Sequence, residues 1–187
     1  SDGVPDGLER RFGTDSTKPD TDADGIPDLV ELGSLLTPLD TDNDSTYDAL
    51  DPDSDRDGVP DSVEGVVDTD QDGRPDYRDT DSDEDGVTDV TDVCRTVPDP
   101  AQKDEDHDGV GDACDDDRDG DGVSNVAEQV LHSNPDLVDS DGDTISDGDE
   151  AKGPLNPPDT DGDGETDPVD TDSDKDGIPD SDEAGDS

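Results

Sequence analysis

A twelve-residue register of acids recurs ten times along this chain and constrains its fold more than any hydrophobic pattern does. Each copy begins Asp-x-Asp-x-Asp, usually continues with Gly, and places further acids at positions 9 and 12. Of the fifty acid slots so defined, forty-nine hold Asp or Glu, and the fiftieth holds Asn125, which still offers a carbonyl oxygen. A partial copy over residues 1–9 opens the chain, with Asp2, Asp6 and Glu9 at positions 5, 9 and 12. In all, 52 of the 62 acids stand in register. A solvated acidic tail has no reason to keep its acids in phase.

Composition makes the register decisive. The formal charge is −51, only 22% of residues are hydrophobic, and there is one Phe and no Trp or Met. Ordering a residue costs about 1–2 kcal/mol, and so little apolar surface cannot offset that across the whole chain. Something other than a hydrophobic core must hold the fold. The same charge excludes a nucleic-acid partner, which needs a basic footprint. No apolar run approaches the ~20 residues of a membrane-spanning helix, so no membrane insertion is expected.

Acids at positions 1, 3, 5, 9 and 12 are how one short loop builds an oxygen cage for Ca²⁺, with a main-chain carbonyl at position 7. Loop 20–31 offers Asp20, Asp22, Asp24, Asp28 and Glu31 with Ile26 at position 7, and loop 40–51 offers Asp40, Asp42, Asp44, Asp48 and Asp51 with Thr46. Loop 53–64 carries Asp53, Asp55, Asp57, Val59, Asp61 and Glu64, and loop 68–79 carries Asp68, Asp70, Asp72, Arg74, Asp76 and Asp79. Loop 81–92 follows with Asp81, Asp83, Asp85, Val87, Asp89 and Asp92. Loop 104–115 has Asp104, Asp106, Asp108, Val110, Asp112 and Asp115, and loop 117–128 has Asp117, Asp119, Asp121, Val123, Asn125 and Glu128. Loop 139–150 has Asp139, Asp141, Asp143, Ile145, Asp147 and Glu150. Loop 159–170 has Asp159, Asp161, Asp163, Glu165, Asp167 and Asp170, and loop 172–183 has Asp172, Asp174, Asp176, Ile178, Asp180 and Glu183. The reading assigns positions 1, 3, 5 and 12 as side-chain ligands, with position 9 acting through water or in a neighbouring site.

Gly fills position 6 in eight of the ten loops, where a sharp turn needs φ > 0. Ser45 and Thr144 depart from that rule, which predicts strain or a different shape there. Four loop pairs start 13 residues apart, at Asp40 and Asp53, Asp68 and Asp81, Asp104 and Asp117, and Asp159 and Asp172. The first loop of each pair closes with Asp, one residue before the next loop begins. Carboxylates ~5 Å apart repel by about 3 kcal/mol at an effective dielectric of 20, so a shared or second ion between paired loops is expected.

The 13-residue step leaves no room for the flanking helices of an EF-hand. Pro27, Pro60, Pro75 and Pro179 also stand at position 8, where an EF-hand pair needs a backbone N–H. Short apolar stretches, such as Leu29 to Leu36 and Val126 to Leu131, predict helical turns packed into small local clusters. The fold class expected is a mostly irregular, elongated, calcium-stabilised array over residues 1–187, with short helical turns and little regular secondary structure.

The stretch Asp89-Val-Thr-Asp-Val-Cys94, followed by Val97-Pro-Asp-Pro, Gln102-Lys-Asp104 and Asp108-Gly-Val-Gly-Asp-Ala-Cys114-Asp, closely resembles thrombospondin type 3 repeats. Copies outside it look like the cysteine-free bacterial form of the repeat. The resemblance implies an extracellular, calcium-dependent region wrapped around many ions, about ten to twenty here. It also implies a disulfide between Cys94 and Cys114, which chain entropy values at about 3 kcal/mol and which suits an oxidising compartment. Free thiols, or a zinc site with His107 and His132, are the alternatives.

Two functions fit. One is a structural spacer or stalk on a cell surface or fibre, bacterial by the resemblance and part of a larger protein. The other is a calcium-dependent adhesion module docking a protein or glycan, with Leu35, Leu36, Val130 and Leu131 as candidate contacts. Catalysis finds no support, since acid–base work needs a pocket that separates carboxyl pKa values. Ser1 and Asp2 begin partway through a loop. That start is expected of a segment of a longer array, or of a subunit whose loop a neighbouring copy completes in a filament.

Overall fold

The computed structural model describes residues 3–151 and 158–183, so Asp2 lies outside the described residues. It divides into two compact units, Ser1–Pro100 and Ala101–Ser187. No strand occurs among the described residues. Regular structure is confined to short turns: α1 (Asp6–Phe12), α2 (Asp28–Glu31), α3 (Asp61–Glu64), α4 (Asn125–Leu131), α5 (Asp147–Glu150) and α6 (Asp180–Glu183), with the 3₁₀ turns η1 (Asp48–Leu50), η2 (Asp76–Arg78) and η3 (Asp167–Val169). The mostly irregular fold read from the sequence is what the structure shows.

Each of these turns begins at position 9 of a loop. Position 8 is extended and acts as the N-cap, with Pro5, Pro27, Pro60 and Pro75 near φ −70°. Proline fits there because its fixed φ matches and the missing N–H has no helical partner to lose. The residue closing the loop tracks the turn type. α2, α3 and α5 close with Glu, whereas η1, η2 and η3 precede a closing Asp. Asp51, Asp79 and Asp170 are extended, at φ between −129° and −117°, because the next loop starts two residues on. Within the units, α2 packs on η1, α3 on η2 and α5 on η3.

The same backbone bond closes all ten complete loops. The N–H of position 9 donates to the carbonyl of the residue just before position 1, at 2.6 to 3.1 Å, as from Asp28 to Pro19 and from Asp180 to Thr171. Two left-handed residues make the tight path between them. Position 6 has φ between 84° and 105° in every loop, Ser45 and Thr144 included. Position 4 is also left-handed throughout, from Ala23 to Lys175. Ser45 and Thr144 therefore keep the common shape and carry its strain.

Apolar packing is local. Val4, Phe12, Leu32 and Ala49 form one buried cluster, joined by Leu8, Leu35 and Tyr47, with Phe12 and Tyr47 meeting edge-on at 5.9 Å. Burial of such side chains is worth about 1.5–3 kcal/mol each. Among the described residues, nine buried residues are hydrophobic and twenty are polar or charged, so most of the interior is carboxylate and hydroxyl.

A left-handed conformation costs a non-Gly residue about 1–2 kcal/mol, partly offset by the greater unfolded-state freedom of Gly. We therefore expect Thr144→Gly to stabilise the calcium-loaded chain by about 0.5–1 kcal/mol. Gly86→Ala, where an added Cβ meets nothing within 4 Å, should destabilise it by a similar amount in denaturant titrations.

Candidate metal centre

Each loop turns its own amides onto its aspartates. The N–H of position 7 donates to one oxygen of the position-5 carboxylate in all ten loops, as from Ile26 to Asp24 at 2.7 Å and from Val123 to Asp121 at 2.7 Å. The N–H of position 5 donates to the position-3 carboxylate in nine loops, as from Asp57 to Asp55 at 3.1 Å. At position 1, Asp20 accepts from the amides of Ala23 and Gly25. Short side chains with alternate spacing permit this folding-back, which is why Asp fills these slots.

In many of these carboxylates one oxygen is thereby fixed and the other is left over. Asp40, Asp53, Asp68, Asp117 and Asp172 at position 1 each bury an oxygen with no hydrogen-bond partner. So do Asp22, Asp55, Asp83, Asp119 and Asp141 at position 3, and Asp24, Asp57 and Asp143 at position 5. At position 12, Glu31 and Glu128 are fully buried with both oxygens unpartnered, and both oxygens of Glu64 are likewise orphaned. Candidate ligand atoms of Asp20, Asp22 and Asp24 lie within 4.8 Å of one another, as do those of Asp40, Asp42 and Asp44, and of Asp53, Asp55 and Asp57. An unpaired buried carboxylate is costly, and several converging on one point fit an oxygen-loving divalent cation.

The electrostatics agree. Burial, reinforced by neighbouring carboxylates, pushes the Glu31 carboxyl up to about 10, with Asp22, Asp24 and Asp61 as the neighbours that contribute most. The same causes push Glu64 and Glu150 up to about 9 and Glu128 up to about 7. At position 3, burial first and nearby acids second raise Asp22 and Asp55 to about 7 and Asp119 and Asp141 to about 6.

Position 9 has a different setting. Asp28, Asp48, Asp61, Asp76, Asp89 and Asp147 are buried, and both their oxygens are held by position 2 of the same loop. Thr21 donates its N–H and hydroxyl to Asp28 at 2.7 and 2.8 Å, and Ser54 donates the same two groups to Asp61 at 2.8 and 2.6 Å. Asp167 and Asp180 make the same clamp with Thr160 and Ser173. Position 2 is Thr or Ser in eight loops; the exceptions are Glu105 and Arg118. Asp112 takes the Lys103 ammonium at 2.6 Å in place of a hydroxyl. Asn125 accepts from the Arg118 amide and donates its own amide to the Asp115 carbonyl. Loop position 2 is the functional position that the acid register overlooked, although the recurrent Asp-Thr/Ser-Asp was there to be seen.

The Asp-closed first loops of the pairs also carry the chain's own cations. Lys175 reaches Asp161 at 2.9 Å and Asp163 at 2.6 Å, Arg56 lies 3.6 Å from Asp42, and Arg74 lies 3.3 Å from Asp72. The Arg78 guanidinium donates to Thr41 and lies 3.5 Å from Asp48. The closing carboxylates of the pairs accept the first amide of the next loop, as Asp51 does from Asp53 at 3.2 Å, Asp79 from Asp81 at 3.3 Å, Asp115 from Asp117 at 2.8 Å and Asp170 from Asp172 at 3.1 Å.

At position 7, Ile26 and Val123 are buried whereas Val110 and Ile178 are exposed. Asp6 starts α1 and Glu9 is buried within it. Both cysteines, Cys94 and Cys114, are disulfide-bonded, so neither is free to ligate zinc. His107 is exposed, its ring nitrogen 2.9 Å from the Glu105 carbonyl. An open cleft of about 500 Å³ in the second unit is lined by Glu105, Asp106, Asp119, Gly120, Asp136, Leu137 and Val138, which include no hydroxyl, thiol or imidazole.

These shifts set a pH dependence. Carboxyls whose folded value exceeds their ordinary 4.5 stabilise the ion-free fold below about pH 4.5, and that stability is lost as pH rises towards 9 and 10. A cation bound among them displaces the retained protons. Calorimetric calcium titrations at pH 7, in two buffers of different ionisation enthalpy, should therefore show net proton release. Zero release would contradict the burial of Glu31, Glu64 and Glu150 as ligating groups.

No curated protein matches the chain. The family model of the thrombospondin type 3 repeat matches residues 67–102 and 103–128. That span covers the cysteine-bearing stretch and the loops beginning at Asp68, Asp81, Asp104 and Asp117. Repeats of this kind bind calcium, which the converging carboxylates of the loops suit. Residues 67–128 are thrombospondin type 3 repeats.

Proposed function

We propose that the whole chain is one calcium-binding array that serves as an extracellular spacer or stalk within a larger surface or fibre-forming protein. The observation that carries this reading is the set of buried, unpartnered oxygens, which beyond residues 67–128 stands at positions 1, 3, 5 and 12 of loop 53–64 and at positions 3, 5 and 12 of loops 20–31 and 139–150. In this reading those side chains and the position-7 carbonyl ligate calcium. About ten to twenty ions then cancel a large share of the −51 charge. Folding free energy is largely ion-binding free energy. Extracellular modules of this type bind at about 10⁻⁴–10⁻³ M, and the disulfide fits the same compartment.

A docking role for the apolar residues has less support. Leu131 is buried and Leu35 packs on the Phe12 cluster, which leaves Leu36 and Val130 exposed. A spacer requires no apolar face.

Small-angle scattering in millimolar calcium and in excess chelator tests the reading. Chelation should expand the chain towards the ~46 Å radius of gyration of an unfolded chain of this length. An unchanged radius would contradict a calcium-held spacer.

A further inference from the structure

We propose that the Glu-closed loops do not complete their calcium sites alone. The position-9 carboxylate of a later loop joins the position-5 and position-12 carboxylates of an earlier one around a single cation. This rests on the calcium-binding reading and adds a specific ligand from a distant repeat. Asp24 and Glu31 belong to loop 20–31, yet their ligand atoms lie within 4.8 Å of Asp61, which is position 9 of loop 53–64. Asp57 and Glu64 of that loop are joined in the same way by Asp89 of loop 81–92. Glu31 is fully buried and both its oxygens lack a partner, one of them being the ligand atom grouped with those of Asp24 and Asp61.

In the second unit Gly148, the residue after Asp147, donates its amide to Asp121 of loop 117–128 at 2.9 Å, so the turn at position 9 of loop 139–150 meets position 5 of the earlier loop there as well. The relay therefore runs from loop 20–31 to 53–64 to 81–92, and from 117–128 to 139–150. In the first unit it passes over the first loop of each tandem pair.

The clamp makes such a ligand available. Ser54 holds each oxygen of Asp61 through one hydrogen bond, and a carboxylate oxygen has a second lone pair to give. Position 2 is Ser in the three receiving loops, at Ser54, Ser82 and Ser140, and again at Ser173, and Thr in loops 20–31, 40–51, 68–79 and 159–170. Ser54 and Ser82 are buried, at 1% and 3% exposure, where the extra methyl of Thr would meet the packed interior. The consequence is directional: calcium binding by an earlier loop depends on the folding of a later one.

Asp61→Asn tests this in the full-length chain, because Asn125 already shows that Asn is accommodated at position 9. The probe is calcium, followed by the amide NMR signals of Gly25, Gly58 and Gly164 in loops 20–31, 53–64 and 159–170. The expected result is that the Gly25 midpoint moves to about tenfold higher calcium or more, while Gly164 stays in place and Gly58 moves less than Gly25. Asp89→Asn should transfer the largest shift to Gly58, with a smaller one at Gly25 and none at Gly164. A shift confined to the loop that carries the substitution would overturn the proposal, as would a uniform shift of every signal, Gly164 included. If no glycine of the unaltered chain responds to calcium, the calcium-binding reading itself fails, and this proposal with it.

Discussion

Carboxylate repulsion is the force this fold has to overcome. Among the described residues, fifteen of the twenty buried polar residues are Asp or Glu, and several of them, Glu31 and Glu128 included, bury an oxygen with no partner. In an ordinary domain that arrangement would be a defect. Here the oxygens converge, as those of Asp20, Asp22 and Asp24 do and those of Asp53, Asp55 and Asp57, and a bound cation supplies the charge that would neutralise them. Apolar packing around Phe12 and Leu32 is too small and too local to do that work along the rest of the chain.

Preorganisation comes from the backbone. The position-9 amide closes each loop, the amides of positions 5 and 7 fix the aspartates, and the position-2 hydroxyl holds the position-9 carboxylate. None of these bonds uses the free oxygens, so the folded loop can keep its own amide contacts and hold an ion at the same time. The loops then fall into two kinds. Glu-closed loops run into α-turns and present orphaned oxygens, whereas the Asp-closed first loops of the pairs take 3₁₀ or looser turns and are contacted by Lys or Arg. The Lys175 ammonium, 2.9 Å from Asp161 and 2.6 Å from Asp163, neutralises part of the charge of its loop without a metal ion.

The acid register and the position-6 glycines were readable because each rests on a residue type with one dominant physical reason. Position 4 escaped notice: it is equally left-handed, yet it carries Ala, Asn, Arg, Gln, Glu, His, Gly and Lys, so composition does not mark it. The sequence shows that the position-8 prolines lack a donor; the structure adds that they cap the turn that follows. The apolar stretches were right in part, since Leu32 and Leu131 are buried while Leu29, Val30 and Val126 face solvent. Contacts between distant repeats, such as Asp61 with Glu31, leave no trace in local spacing.

Amide hydrogen exchange at position 9 tests the central claim most directly. The N–H groups of Asp28, Asp61, Asp76 and Asp147 close their loops, so their protection reports the fold one loop at a time. The account predicts strong protection in saturating calcium and its collapse at all four in chelator at neutral pH. Equal protection with and without calcium would show that something other than bound cations holds these carboxylates together.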